Sequence, residues 1–261
     1  MLDGEDEDTM NQKYLITAIE DKIALVTINR PDKGNALSPE VLTEIGDIFT
    51  DLNQREDVHV IVLTGSSKIF SGGFDLESVQ TLRRESNEAF TALFHRAYRS
   101  IMFCAQPVIA AIEGAAIAGG FDLTLMCDIR YAAENSKFSQ REVLLSLVPM
   151  FDPLWRVIGM GPAKEIALTG RIFDAQEALR LGYVTKLFTP GTVLSSVMEI
   201  ARTMASYDRM CMMEIKRFAH NAMNNSVDGA MKMHEWLFRT YVGSDDNRER
   251  IKKLLESLKK K

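Results

Sequence analysis

The hydrophobic pattern alternates between short β-branched runs and amphipathic helical stretches for about 190 residues and then turns wholly helical. Tyr14–Ile19 and Lys22–Ile28 read as strands joined at Glu20-Asp21, a hairpin. Ser38 as N-cap, Pro39 and Glu40 open a helix whose inward face is Val41, Ile45, Ile48, Phe49 and Leu52. Val58–Thr64 and Pro107–Ile112 are continuous apolar runs, as strands buried on both faces are. Each runs on to a small-residue turn: Gly72-Gly73 after the first, Gly114 to Gly120 after the second. Between these strands, 78–86 is polar and expected to be mobile, and Glu88–Met102 is a helix with Phe90, Leu93, Phe94, Ala97, Tyr98 and Ile101 inward. Phe121–Met126 begins another helix, with Asp122 in its first turn.

Ile129–Ala133 is a further strand, and Met150–Trp155 has no clean period. Ala163–Leu168 is helical. Asp174 and Glu177 form a capping box on a helix that Gly182 ends, and Tyr183–Phe188 is strand-like. Beyond Pro190-Gly191 the pattern predicts helices at Val193–Met204, Arg209–Met223, Val227–Tyr241 and Asn247–Lys260. The expected architecture is an α/β unit with stacked sheets or helical cover, divided as a disordered acidic tail (1–13), a core (14–190) and a helical C-terminal region (191–261). The cluster of Trp236, Leu237, Phe238 and Tyr241 packs either within the chain or on another subunit.

Composition narrows the function classes. The 46% hydrophobic and 26% charged fractions are those of a soluble globular protein. A net charge of −5 disfavours a nucleic-acid partner, and no apolar run is long enough to span a membrane. The three cysteines have no metal-ligand spacing and point to a reducing compartment, so a cytoplasmic protein is expected. The four histidines are scattered, which argues against a metal site and a Ser-His dyad.

The candidate chemistry lies in the two small-residue turns. A strand, a turn of small residues and a helix N-terminus leave backbone N–H groups unpaired. If the fold joins the N–H groups near Phe74 and Gly119, they bind one carbonyl oxygen and stabilise it as an oxyanion. Asp122 and Glu142 are the candidate acid and base. Two carboxylates in an apolar cleft oppose each other's ionisation, so one stays protonated near neutral pH. Asp152 is a third candidate. The structural alternatives are a salt bridge from Glu142 to Arg141 or Arg130, and helix capping by Asp152 ahead of Pro153.

These residues resemble the enoyl-CoA hydratase/isomerase, or crotonase, superfamily from about Tyr14 to the C-terminus. The marks are Asn29-Arg-Pro with Asn35-Ala-Leu37, Phe70-Ser-Gly-Gly-Phe-Asp-Leu76 and Gly114–Leu123 followed by Cys127-Asp-Ile-Arg130. Phe138-Ser-Gln-Arg-Glu142, Leu168-Thr-Gly170 and Ala175–Val184 complete the set. The resemblance implies repeated ββα units in two stacked sheets, and a helical C-terminal region that builds a homotrimer or homohexamer. It implies an acyl-CoA thioester as substrate and no separate cofactor, since coenzyme A belongs to the substrate. Phe74 and Gly119 match the family's oxyanion hole. Coenzyme A contacts are expected at Lys33, Asn35, Ala36, Leu37, Gly72, Gly73, Asp75 and Leu76.

Glu142 matches the glutamate of hydratases, and Asp122 the second acidic position. The form Gly119-Gly-Phe-Asp-Leu123 is nearer to dienoyl-CoA isomerases, but their further aspartate, eight residues after the glutamate, is Met150 here. Met150, Phe151 and Trp155 replace a Gly-rich segment, so they are expected to line the acyl pocket around a cyclic or conjugated group. The resulting expectation is an acyl-CoA hydratase using Glu142 and Asp122. The alternatives are a double-bond isomerase, a hydrolase using Asp152, and a binding relative, of acyl-CoA or RNA, without chemistry.

Overall fold

A computed structural model describes residues 10–222 and 225–259. The first strands are β1 (Met10–Asn11), β2 (Leu15–Glu20) and β3 (Ile23–Ile28). β2 and β3 pair antiparallel, Leu15 opposite Ile28 and Glu20 opposite Ile23. Asp21 and Lys22 between them both have positive φ, 51° and 66°. That is the two-residue hairpin turn whose twist suits antiparallel strands. β1 pairs with β2 through Met10 and Asn11 opposite Thr17 and Ile16. Ordered structure therefore starts ahead of Tyr14, and only residues 1–9 of the expected tail lie outside the described residues.

Five strands then run parallel in one sheet. Helix α1 (Pro39–Leu52) carries the chain from β3 to β4 (Val60–Thr64), which is buried along its whole length. The Ser38 hydroxyl caps α1 by accepting the Val41 N–H at 3.4 Å. The sheet continues through β6 (Val108–Ile112) and β8 (Ile129–Ala133) to β11 (Lys186–Phe188), in the order β1-β2-β3-β4-β6-β8-β11.

A second sheet collects one short strand from each repeat: β5 (Ile69–Ser71), β7 (Ala115–Ile117), β9 (Lys137–Ser139) and β10 (Phe173–Asp174), in the order β10-β9-β7-β5. After β5 come α2 (Leu76–Val79) and α3 (Glu88–Met102), and after β7 comes α4 (Gly119–Leu125). This is the repeated ββα plan in two sheets. The corner between β6 and β7 is tight. Gly114 has φ +71°, and a Cβ there would lie 2.0 Å from the Lys68 carbonyl oxygen, so only glycine turns the chain from one sheet into the other.

Three local features differ from the sequence reading. The stretch 78–86 contains the end of α2 and a 3₁₀ turn at Arg84–Ser86 rather than continuous loop. β7 is a strand of two alanines and an isoleucine inside what reads as a turn. Its neighbours β5 and β9 supply the pairing that its own residues do not advertise. Met150–Trp155 enters a helix, α5 (Phe151–Ile158), in which Asp152 has extended dihedrals and Pro153 starts the regular turns.

The helices α6 (Met160–Thr169) and α7 (Ala175–Arg180) precede α8 (Val193–Ala205). α8 buries Val193, Val197, Ala201 and Ala205 on one stripe and packs on β4, β6 and β8. The first compact unit consequently runs to Ala205, not to residue 190. The second unit, from Ser206 onward, holds α9 (Arg209–Ala222), α10 (Val227–Tyr241) and α11 (Asp245–Leu258), with Ser226 and Ser244 capping the last two. Trp236 and Phe238 on α10 remain more than half exposed. Among the described residues no helix is long and apolar enough to cross a membrane.

Candidate active site

Two turns of the first unit bring two backbone donors together. After β5 the chain is held against the 34–37 loop. Gly72 N–H donates to the Gly34 carbonyl at 2.9 Å, Leu37 N–H to the Gly73 carbonyl at 2.8 Å, and Asp75 N–H to the Leu37 carbonyl at 3.2 Å. This alternation leaves the Phe74 N–H facing the other way. Gly73 reaches it with φ +94°, and a Cβ there would stand 2.9 Å from the Ile117 carbonyl and 3.0 Å from the Gly119 nitrogen.

On the opposing turn Ala118 N–H donates to Ser139 at 2.7 Å, and α4 begins at Gly119. The Gly119 N–H has no helical carbonyl behind it. Among the described residues neither the Phe74 nor the Gly119 N–H meets an acceptor. Ala118, between β7 and α4, has φ 49° and ψ −126°, a conformation that costs an alanine about 1–3 kcal/mol. The strain falls where the chain must turn its N–H groups towards a cavity.

That cavity, of about 280 Å³, is lined among others by Phe74, Leu76, Val79, Glu142, Leu145 and Leu147. Glu142 opens a 3₁₀ turn (Glu142–Leu145) just beyond β9. It is 5% exposed, and neither carboxylate oxygen has a hydrogen-bond partner. It makes no salt bridge to Arg141 or to Arg130, whose guanidinium is held by the carbonyls of Tyr183, Thr124 and Cys127. Burial holds the Glu142 carboxyl above the ordinary carboxylate range.

Asp122, in the first turn of α4, is 4% exposed. Gln140 Nε2 donates to its Oδ1 at 2.8 Å, and the Met150 N–H to its Oδ2 at 3.3 Å. Burial first, and then the charge of Glu142, push Asp122 well above its usual value, against the pull of those two donors. The arrangement offers two unpaired N–H donors that can cradle an oxyanion, one carboxyl fixed by donors, and one buried carboxyl whose oxygens are unpartnered.

Other expected positions lie elsewhere. Asp152 is half exposed; Arg156 Nε donates to it at 2.7 Å and Trp155 Nε1 at 3.0 Å. Its carboxylate is held by side chains of α5 and does not line the cavity. Met150, Phe151 and Trp155 pack against the hydrophobic core and do not line the cavity either. Its wall is aliphatic instead, from α2 and the 3₁₀ turn.

Several residues expected to touch coenzyme A build the turn. The Asn35 side chain is fully buried, accepting Arg30 N–H at 2.9 Å and donating to Ile69 and Phe70 carbonyls at 3.1 Å. Leu37 is core, and Asp75 caps α2 while its Oδ2 takes Arg30 at 2.6 Å. Lys33 pairs with Glu77 at 3.1 Å on the surface, Ala36 is partly exposed, and Gly72 and Leu76 face the cavity. Sequence reasoning missed Gln140, whose signal was its place two residues before Glu142, and the wall residues Leu144, Leu145 and Leu147.

The sequence pattern of the Enoyl-CoA hydratase/isomerase family matches residues 18–261. This chain belongs to that family. It is 35% identical over 254 residues to the Crotonyl-CoA hydratase of Syntrophomonas wolfei, covering 96% of this chain and 98% of that protein. It is 31% identical to the Short-chain-enoyl-CoA hydratase of Clostridium acetobutylicum, covering 96% and 97%. Among solved structures, the Enoyl-CoA Hydratase from Bacillus anthracis superposes with a TM-score of 0.89 at 28% identity, covering 94% of this chain and 97% of that one. The two stacked sheets and ββα repeats of this enoyl-CoA hydratase/isomerase family member thus agree with a solved relative over nearly the whole chain.

Proposed function

We propose that this chain is a hydro-lyase that adds water across the conjugated C=C bond of an enoyl-CoA thioester. The observation that carries the reading is the pair of unpaired N–H groups, on Phe74 and Gly119, beside two buried carboxyls of unequal hydrogen bonding. The thioester oxygen sits between the two N–H groups. As water attacks the β-carbon, charge moves onto that oxygen, and donors already in place stabilise the enolate. Glu142, with both oxygens unpartnered, takes the proton from the attacking water and returns a proton to the α-carbon. Asp122 holds the water and shares the charge, its position fixed by Gln140 and the Met150 N–H. The names of the relatives from Syntrophomonas and Clostridium support this reading.

The aliphatic wall of Leu76, Val79, Leu145 and Leu147 suits a linear acyl chain. A cyclic acyl group was expected on the strength of Phe151 and Trp155, which do not line the cavity. Coenzyme A would follow the surface from Lys33 to Leu76, and the helical second unit would assemble the chain into a trimer or a dimer of trimers.

The experiment is mass spectrometry of crotonyl-CoA incubated with the protein in D₂O. The expected product has gained D₂O, with one deuterium fixed on carbon. Deuterium incorporated without added water would mean isomerisation, free CoA would mean hydrolysis, and unchanged substrate would remove the reading.

A further inference from the structure

α3 carries Phe90, Phe94 and Tyr98 at every fourth position, so their rings stand in a row on one face. The Phe74 ring packs into that row. It meets Phe90 edge-on at 5.4 Å between centroids and 73°, and Phe94 at 5.4 Å and 61°. It lies nearly parallel to Tyr98, at 6.5 Å and 18°, while Phe94 stands edge-on against Tyr98 at 5.6 Å and 75°. The Tyr98 hydroxyl then leaves the aromatic row and donates to the Gly119 carbonyl at 2.6 Å. One side chain, 1% exposed, touches both residues whose N–H groups meet no acceptor among the described residues.

The backbone provides no direct bond between those two residues, because two N–H donors cannot pair with each other. Their separation has to be set by what packs behind them. The fit is close: a Cβ on Gly119 would lie 3.1 Å from the Tyr98 oxygen and 3.4 Å from the Phe74 nitrogen. Burial and the charges of Asp122 and Glu142 keep the phenol protonated, and so keep it a donor.

We infer that Tyr98 is a positioning residue for the oxyanion hole: its ring seats Phe74 and its hydroxyl seats Gly119, which fixes the spacing and aim of the two N–H groups. The inference rests on the proposed hydration, in which those groups bind the thioester oxygen. A preorganised donor acts only when it lies at hydrogen-bond distance from the place where the oxyanion forms, and a misplacement on the order of 1 Å costs up to about a hundredfold in rate.

The test is the carbonyl stretch of ¹³C-carbonyl butyryl-CoA, a saturated thioester with no double bond to hydrate, read by difference infrared spectroscopy on the full chain. Wild type is expected to lower the stretch relative to the free thioester, because two donors polarise the bond. Tyr98→Phe keeps the ring and drops the hydroxyl; its bound stretch should move back towards the free value. With crotonyl-CoA, kcat should fall roughly tenfold while KM stays within about twofold.

A wild-type shift that Tyr98→Phe leaves unchanged would overturn the positioning role, as would a loss confined to KM or to thermal stability. No shift in wild type would overturn the oxyanion-hole reading itself, and this inference with it. Should Tyr98→Phe not fold, Phe94→Leu decides. It keeps the hydroxyl but removes the ring packed against both Phe74 and Tyr98, and it must weaken the wild-type shift for the inference to stand.

Discussion

Asp122 and Glu142 lie in one buried site and are bonded in opposite ways. Both oxygens of Asp122 accept hydrogen bonds, from Gln140 and from the Met150 N–H, whereas both oxygens of Glu142 accept none. A carboxyl with each oxygen bonded once to the protein is held in place. One with its lone pairs open answers to whatever enters. In the proposed hydration this asymmetry puts the mobile proton on Glu142 and the fixed contact on Asp122.

Glu142→Gln is therefore expected to lower kcat for crotonyl-CoA hydration by roughly 10²-fold or more, with KM little changed, since the amide keeps the shape and loses the base. Asp122→Asn should also reduce kcat. It should in addition disturb the Gln140 and Met150 donors, because the amide offers one acceptor oxygen where the carboxyl offers two. Steady-state kinetics of both variants check this. A Glu142→Gln enzyme at wild-type rate would remove Glu142 from the mechanism.

The same burial makes the pair a burden on stability near neutral pH. The folded state raises the Glu142 carboxyl above its ordinary 4.5. Below that ordinary value both folded and unfolded chains are protonated there, and the group costs nothing. As pH rises past it, the unfolded chain ionises first, binds fewer protons than the folded one, and is favoured. Glu142→Gln should thus melt higher than wild type near neutral pH, and the gain should vanish below about pH 4. Thermal melts of the two proteins across that range test it; a gain independent of pH would contradict the argument. Higher stability with lost activity is the usual signature of a site built against stability.

Much of the fold could be read from the chain because its signals are local. Ser38-Pro39-Glu40 announces α1, and the buried runs at Val60–Thr64 and Val108–Ile112 announce the central strands. What the chain hid depends on distant partners. Ala115–Ile117 becomes a strand only because β5 and β9 flank it, and α8 joins the core only because the sheet offers its stripe a surface. In the candidate site, the unpaired N–H groups of Phe74 and Gly119 and the buried carboxyls Asp122 and Glu142 lie in the turns and at the acidic positions that the sequence singles out. Tyr98 was not singled out, because a tyrosine on a helix face carries no mark of what it will touch, and Gln140 was marked only by its place two residues before Glu142. Phe151 and Trp155 misled because bulk near a site does not say which way a side chain packs.

Asp152 contrasts with the two buried carboxyls of the candidate site. Its partners Arg156 and Trp155 hold it below the usual carboxylate range, and its side chain is 51% exposed. An exposed pair of this kind contributes at most about 1 kcal/mol. Asp152→Asn should keep the hydration rate within about twofold and lower the melting temperature slightly, as measured by kinetics and thermal melts. A large loss of kcat would return Asp152 to the chemistry and revive the hydrolase reading.

Two glycines give a matched final test of the turn geometry. Gly73 has φ +94°, and a Cβ there would stand 2.9 Å from a backbone carbonyl and 3.0 Å from the Gly119 nitrogen. Gly73→Ala must move one of the two turns that carry the unpaired N–H groups, so kcat should fall by at least roughly tenfold. Gly161 lies in α6 with nothing within 4 Å of its Cβ position and no positive φ. Gly161→Ala should leave kcat unchanged and stabilise the chain by about 0.5 kcal/mol through reduced freedom of the unfolded state. Equal kinetic effects of the two substitutions would show that the Gly73 turn does not set the donors. A loss confined to Gly73→Ala, with the fold intact by circular dichroism, ties the rate to the spacing of the Phe74 and Gly119 N–H groups.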